Sequence, residues 1–318
     1  MPGSLIDVPG LSLAHRSLGD TGVTAIVSQE PHGMISAVDV RGGGPGTRET
    51  DLLAPQNTVE RVHAIMLCGG SAFGLAAADG AMRELEAQGR GFPVFGEGVP
   101  GPRVPIVPAA VIFDLIVGDP AHRPTADDGA AAVRVALAGE GDPTGQGSVG
   151  AGCGATAGKL RGGFGQASAK VGEYTVAGAV AANPVGEVID PATGLFYGDG
   201  TRSVVDKDAF AALPMPGPQL NTVIGVIATD APLTTGQATR LATCGHDGIA
   251  RAVRPAHSPL DGDTLFAVST AEASTGVDPM QLIFLCAAAA DVVTEAIVNA
   301  VALAEPGFGL TTYRELTG

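Results

Sequence analysis

Two groupings of residues in this chain could carry chemistry. The first is Asn221-Thr222, where the proline-rich run Leu213-Pro214-Met215-Pro216-Gly217-Pro218 gives way to Val223-Ile224-Gly225-Val226-Ile227-Ala228. The second is Asp261-Gly262-Asp263, two carboxylates flanking a glycine just ahead of the run Thr264 to Ser269. A threonine hydroxyl is a weak nucleophile until a base stands beside it. If the chain were cut before Thr222, the new α-amine, with an ordinary pKa of about 7.7–8.0, would be that base. Carboxylates spaced two apart can point the same way, so one could orient the hydroxyl or amine while the other adjusts its proton affinity. Each grouping also has a plain structural reading. A β-branched residue commonly starts a strand, and D-G-D is commonly a solvated turn. The local sequence leaves both readings open.

The elements around these residues are legible in outline. Prolines at 214, 216 and 218 fix φ and remove backbone donors, so the run before the junction is an exposed, polyproline-like connector. Val223 to Ala228 has the length and branching of a buried strand. Further strands are expected at Thr24 to Val27, Gly33 to Val40, His63 to Cys68, Tyr174 to Ala182 and Thr264 to Ser269, with a bent edge strand and a cleaner one within Val104 to Val117. Helices are expected over Ala76 to Gln88, over Gly129 to Ala138 behind a Thr125-Ala126-Asp127-Asp128 cap, over Thr234 to Val253, and over Asp278 to Ala304. The last is apolar on nearly every face and should pack between layers or subunits. The glycine series from Gly145 to Gly165 implies backbone that approaches something closely. The segment from Thr222 onward holds too few strands for a sheet of its own, so it should share sheets with the earlier part.

Composition narrows the function. Eighteen Lys and Arg against 33 Asp and Glu leave a net charge of −15, which disfavours nucleic acid and anionic membranes as partners. Forty-seven glycines and no tryptophan point to Val/Ala/Leu layers joined by tight turns. The four cysteines, Cys68, Cys153, Cys244 and Cys286, lie far apart and read as free thiols, and the six histidines, His63, His246 and His257 among them, show no metal spacing. The turn Cys68-Gly69-Gly70-Ser71-Ala72-Phe73-Gly74 fits neither a phosphate loop nor a dinucleotide fingerprint. With no basic-then-apolar leader and no membrane-length run free of charge and glycine, a cytoplasmic protein without metal or cofactor is expected.

Taken in order, Arg41-Gly42-Gly43 with Pro45-Gly46-Thr47, the Cys68 to Leu75 turn, Val149-Gly150-Ala151-Gly152 with Gly162-Gly163, Asn183, Asn221-Thr222 and Asp261-Gly262-Asp263 resemble the self-processing aminopeptidase/amidases of the DmpA type. That family includes the β-peptidyl aminopeptidases and the endo-type nylon-oligomer hydrolases, and the Asn-Thr junction followed by D-G-D is most similar to the latter branch. The resemblance implies a four-layer α/β/β/α sandwich, like that of ornithine acetyltransferase. It implies one domain over residues 1–318, cut into 1–221 and 222–318 that stay together, and a homo-oligomer acting on a small peptide or amide. It further implies Thr222 as nucleophile, Asn183 as oxyanion donor, Asp261 and Asp263 beside the nucleophile, and an active-site lysine, placed at Lys159 with Lys170 as the alternative. Two competing readings stand beside it: acyl transfer of the ornithine acetyltransferase kind, and an uncut relative with a structural or binding role.

Overall fold

A computed structural model of the protein describes residues 3–217 and 221–317. Pro218, the last proline of the connector, lies outside the described residues. The main strands are β1 (Leu11–Ser17), β2 (Gly22–Ser28), β3 (Met34–Val40), β4 (Ala64–Cys68), β5 (Ala109–Val111), β6 (Gly163–Val171), β7 (Tyr174–Asn183), β8 (Thr222–Thr229) and β9 (Thr264–Ser269). The helices used below are α1 (Ala76–Ala87), α2 (Ala126–Ala138), α3 (Lys207–Ala212), α4 (Thr235–Ala252) and α5 (Pro279–Ala302).

Two sheets stack face to face between two helical layers. One sheet runs β1-β2-β4-β5 and ends on the short edge Thr47–Arg48, and the other runs β6-β7-β8-β9-β3 and ends on Arg61–Val62. Period-two alternation in β8 shows how the layers form. Ile224, Val226 and Ala228 join the core between the sheets with Ile26, Ile65 and Phe266, whereas Val223 and Ile227 face the core under α4 and α5. A third core, with Met66, Ala81 and Val133, fills the space between the first sheet and α1 and α2. This is the four-layer α/β/β/α sandwich. Each fully buried Val or Ile of β8 contributes about 1.5–3 kcal/mol, which anchors the strand that starts at Thr222.

Local signals set the helix starts. The Thr125 hydroxyl accepts from Asp128 N–H and the Asp128 carboxylate from Thr125 N–H, a reciprocal cap for α2. The Asp278 carboxylate caps α5 through Met280 N–H and Gln281 N–H. By length and composition α5 could cross a membrane, but it lies as a core helix against β6 and β7. Its main chain explains part of the glycine series: a Cβ on Gly165 would lie 1.9 Å from Ala296 O and one on Gly163 2.4 Å from Ala300 O. The glycine run therefore contains a strand, β6, because a helix backbone rides on it.

One stretch departs from expectation. Of the segment expected to be strand from Ala110 to Val117, only Ala110 and Val111 pair in the sheet, as the end of β5. The chain leaves because the buried Asp114 carboxylate turns back to accept from Gly70 N–H at 2.6 Å and the Thr21 hydroxyl at 2.7 Å. The strands after residue 221 do not form a sheet of their own: β8 pairs with β7 and β9 pairs with β3.

Candidate active site

Strand register gathers the candidate residues at one end of the second sheet. Thr222, first residue of β8, pairs with Asn183, last residue of β7. Asn221 bridges Asp261, and the parallel neighbour β9 begins just beyond Asp263. β3 ends at the same level, since Val40 pairs with Thr264, so the Arg41 to Gly46 loop arrives there too. That loop lies backbone to backbone on the D-G-D segment. Arg41 N–H donates to Asp263 O at 2.7 Å and Gly44 N–H to Asp261 O at 2.9 Å. Any side chain at Gly42 would be strained by its φ of +86° and would meet Asp261 O at 2.4 Å.

The junction is buried, with Asn221 7% and Thr222 4% exposed, although Pro214 and Met215 of the connector are exposed. The Thr222 hydroxyl donates to the carbonyl oxygen of Asn221. That same oxygen accepts the N–H of Gly262 at 3.2 Å. Asn221 is fixed by its side chain, which donates to Pro184 O at 2.8 Å and Thr156 Oγ1 at 3.4 Å. Asn183, fully buried, accepts from Thr156 N–H at 2.7 Å and donates to Phe113 O at 3.0 Å, which among the described residues leaves one amide hydrogen uncommitted.

Both carboxylates of the D-G-D segment are buried and fully engaged. Asp261 accepts from Val185 N–H at 3.0 Å and Ser258 N–H at 2.9 Å. Asp263 accepts from Val223 N–H at 2.8 Å and from the His257 ring at 2.6 Å. With the His257 N–H, which reaches Asp263 at 3.3 Å, five donors surround the two carboxylates and offset much of the cost of burying them. His257, one of the histidines without metal spacing in the sequence, is set by the fold against Asp263. The only sequence signal for it was its position six residues before that aspartate in a turn-rich segment. Behind it, His246 of α4 donates from Nε2 to Asp39 O at 3.0 Å, and burial pushes its pKa down to about 4.

Asn221 and Thr222 line a cavity of about 330 Å³ with Pro45, Ser71, Ala72, Ile112 and Phe113 among its walls. None of its described lining residues is charged. The Asp114 clamp shapes one wall. It holds Gly70 at φ +80°, and the chain then places Ser71, itself left-handed at φ +52°, in the cavity wall. Burial pushes the Asp114 carboxyl up to about 6 despite its two donors. A larger cavity of about 550 Å³ lies by α4 and α5; of its three arginines, Arg202 pairs with Asp199 at 3.1 Å, Arg251 with Asp291 at 2.6 Å, and Arg254 lies over the Tyr197 ring at 4.3 Å. It holds no member of the Thr222 cluster, so the smaller cavity is the candidate site.

Neither lysine joins this cluster. Lys159 sits in a hairpin turn, and its ammonium donates to Ala211 O at 3.2 Å and lies 5.4 Å from the centre of the Phe210 ring. Lys170 is at the opposite end of the sheet: it pairs with Thr175, next to Val176, which pairs with Thr229 at the far end of β8. Among the described residues, no group of three or more His, Cys, Asp or Glu side chains is arranged to hold a metal ion. The four cysteines are free, and burial raises the pKa of the Cys68 and Cys153 thiols, which makes them poor nucleophiles.

Comparison with known proteins gives this arrangement a context. A β-aminopeptidase from a Burkholderia species superposes with a TM-score of 0.73 at 24% identity, covering 98% of this chain and 91% of that one. The L-aminopeptidase D-Ala-esterase/amidase of Ochrobactrum anthropi, described as a variant of the Ntn hydrolase fold, superposes with a TM-score of 0.73 at 23% identity over 96% of this chain and 88% of that one. The fold is thus that of the N-terminal-nucleophile hydrolases. In sequence, an uncharacterized aminopeptidase of Mycobacterium leprae is 44% identical, covering 98% of this chain and 93% of that protein. A 6-aminohexanoate-oligomer endohydrolase of a Kocuria species is 34% identical, covering 86% of this chain and 76% of that protein. The chain belongs to Peptidase family S58, whose profile matches residues 3–313, and it is a peptidase that hydrolyses amide bonds.

Proposed function

We propose that this peptidase activates itself by cutting its own chain between Asn221 and Thr222 and then uses Thr222 as an N-terminal nucleophile on small peptides or amides. The observation that carries this reading is the shared carbonyl: the Thr222 hydroxyl contacts the Asn221 carbonyl oxygen, and Gly262 N–H donates to that oxygen at 3.2 Å. In the cut, Thr222 Oγ1 adds to the Asn221 carbonyl carbon, and the oxygen's developing charge meets a donor already in place. The C–N bond then breaks as the nitrogen takes up the proton that Oγ1 has given up, leaving an ester on Oγ1. Water hydrolyses the ester to free the Asn221 carboxylate and the Thr222 amine. In the mature site the amine accepts the hydroxyl proton as Thr222 attacks a substrate amide. Asn183 offers its uncommitted amide hydrogen to the oxyanion, and Asp261 and Asp263 hold the junction from the other side. Lys159 has no role in this scheme, since its ammonium is engaged with Ala211 O.

The uncharged cavity lining supports an uncharged acyl portion of the substrate. The two pieces stay together because β8 remains hydrogen-bonded on both sides, by β7 and β9. The same reading includes a homo-oligomer, supported by the exposed Met280, Ile283 and Phe284 on α5, and a cytoplasmic location, supported by four free cysteines. The deciding experiment is the intact mass of the purified protein beside its Thr222→Ala variant. Fragments ending at Asn221 and beginning at Thr222, present in the parent and absent in the variant, are expected. A parent that stays whole after long incubation would reject self-activation.

A further inference from the structure

We propose that His257 is a positioning residue for self-cleavage, acting through the Asp263 carboxylate. The inference rests on the function proposed above and extends it to a residue outside the D-G-D motif. Asp263 is 1% exposed, and its two oxygens are held from opposite sides. Oδ1 accepts from the N–H of Val223, the residue that follows the nucleophile, at 2.8 Å. Oδ2 accepts from the His257 ring at 2.6 Å and from His257 N–H at 3.3 Å. A carboxylate can only accept, so Nδ1 of His257 carries the hydrogen. The carboxylate is therefore a strut between the nucleophile's strand and one imidazole.

Two costs are accepted to place that imidazole. His257 has a left-handed backbone, φ +54°, which is uncommon for a residue with a Cβ. Its other ring nitrogen, Nε2, is buried with no hydrogen-bond partner among the described residues. The ring lies edge-on against His246 at 5.0 Å between centres, and His246 is in turn tied to the Asp39 carbonyl. Packing holds the ring and one nitrogen is idle, so its polar work is the bond to Asp263. That bond is short and charge-assisted, the kind that fixes a carboxylate's rotation. Without it, Asp263 is free to turn away from Val223 N–H, and the start of β8 loses the support that holds Thr222 against the Asn221 carbonyl.

Self-cleavage needs no added substrate, so its rate tests the inference on the full chain. The rate is followed by intact mass in the parent, Asp263→Asn, His257→Ala, His257→Asn and the Asp263→Asn/His257→Ala double variant, each with its melting temperature. The expected result is that His257→Ala cuts at least about tenfold more slowly, the scale of one lost hydrogen bond to a charged group. His257→Asn should cut within about threefold of the parent, because an asparagine amide can stand in for Nδ1–H and tolerates left-handed backbone. In the double variant the alanine should add almost nothing to the effect of Asp263→Asn, as expected of residues acting as a unit. His257→Ala at the parent's rate beside a slow Asp263→Asn overturns the inference alone. So do multiplicative effects in the double variant, or a slow His257→Asn with a parental melting temperature. If His257→Ala fails to fold, the Asn variant decides. An Asp263→Asn chain that cuts normally takes Asp263 out of the scheme and overturns the inference alone, whereas a parent that never cuts overturns the underlying reading and the inference with it.

Discussion

The main-chain N–H of Gly262 donates to the carbonyl oxygen of Asn221 at 3.2 Å, across a parallel bridge between two segments forty residues apart in the chain. The D-G-D motif thus supplies more than two carboxylates. Its glycine aims a fixed dipole at the peptide bond that Thr222 would attack. A glycine is needed there because a Cβ would lie 2.5 Å from Gly44 O and 2.8 Å from Pro45 Cα.

Substituting Gly262→Ala should therefore push the segment away from the Arg41 to Gly46 loop and pull the donor off the Asn221 oxygen. Self-cleavage is expected to slow by about 10²-fold, the scale of a lost oxyanion donor. A time course of intact mass measures it. A parental rate would remove Gly262 from the scheme.

Asn183→Ala leaves Thr156 N–H and the Phe113 carbonyl without their buried partner. At about 1–3 kcal/mol for each stranded group, stability should fall by roughly 2–6 kcal/mol, read from the urea midpoint. Cutting should slow as well, in a fraction that remains folded.

Asp114 makes stability depend on pH in an unusual direction. Its folded pKa is raised from 3.8 to about 6, chiefly by burial. Between those values the folded protein keeps a proton that the unfolded chain has released, so this group's contribution falls as pH rises from about 4 to 6 and is constant above. Asp114→Asn can keep both hydrogen bonds, accepting from Gly70 and donating to Thr21, without the charge. The stability difference, variant minus parent, should grow by an amount on the order of 3 kcal/mol between pH 4 and 7. Urea titrations across that range check it, and a flat difference would show that the carboxyl ionises at its ordinary pH.

Ile283→Glu with Phe284→Glu places two charges on the exposed stripe of α5, where both residues are 57% exposed in the single chain. If copies meet through this face, light scattering after size exclusion should report a smaller assembly with an unchanged melting temperature. An unchanged mass would place any interface elsewhere.

Much of the local structure was legible in the order of residues. The strand Thr264–Ser269, the Thr125 and Asp278 helix starts and the strand beginning at Thr222 follow from branching, capping and the connector before it, all of which act over a few residues. The sequence also singled out Asn221-Thr222, Asn183 and the two aspartates, which strand register brings to one end of one sheet. What it could not reveal were relations made across the chain. The direction of the Lys159 ammonium is set by α3, whose Ala211 carbonyl takes it, and the ending of β5 by Asp114 reaching back to Gly70. The strand hidden in the glycine run exists because the backbone of α5 lies on it. His257 reads as one more turn residue until the fold sets its ring on a buried carboxylate. Propensity and capping are properties of neighbours in sequence, so the chain states them. Which donor meets which buried acceptor is settled only when distant segments pack, because burial is what makes each unpaired group costly enough to dictate a partner.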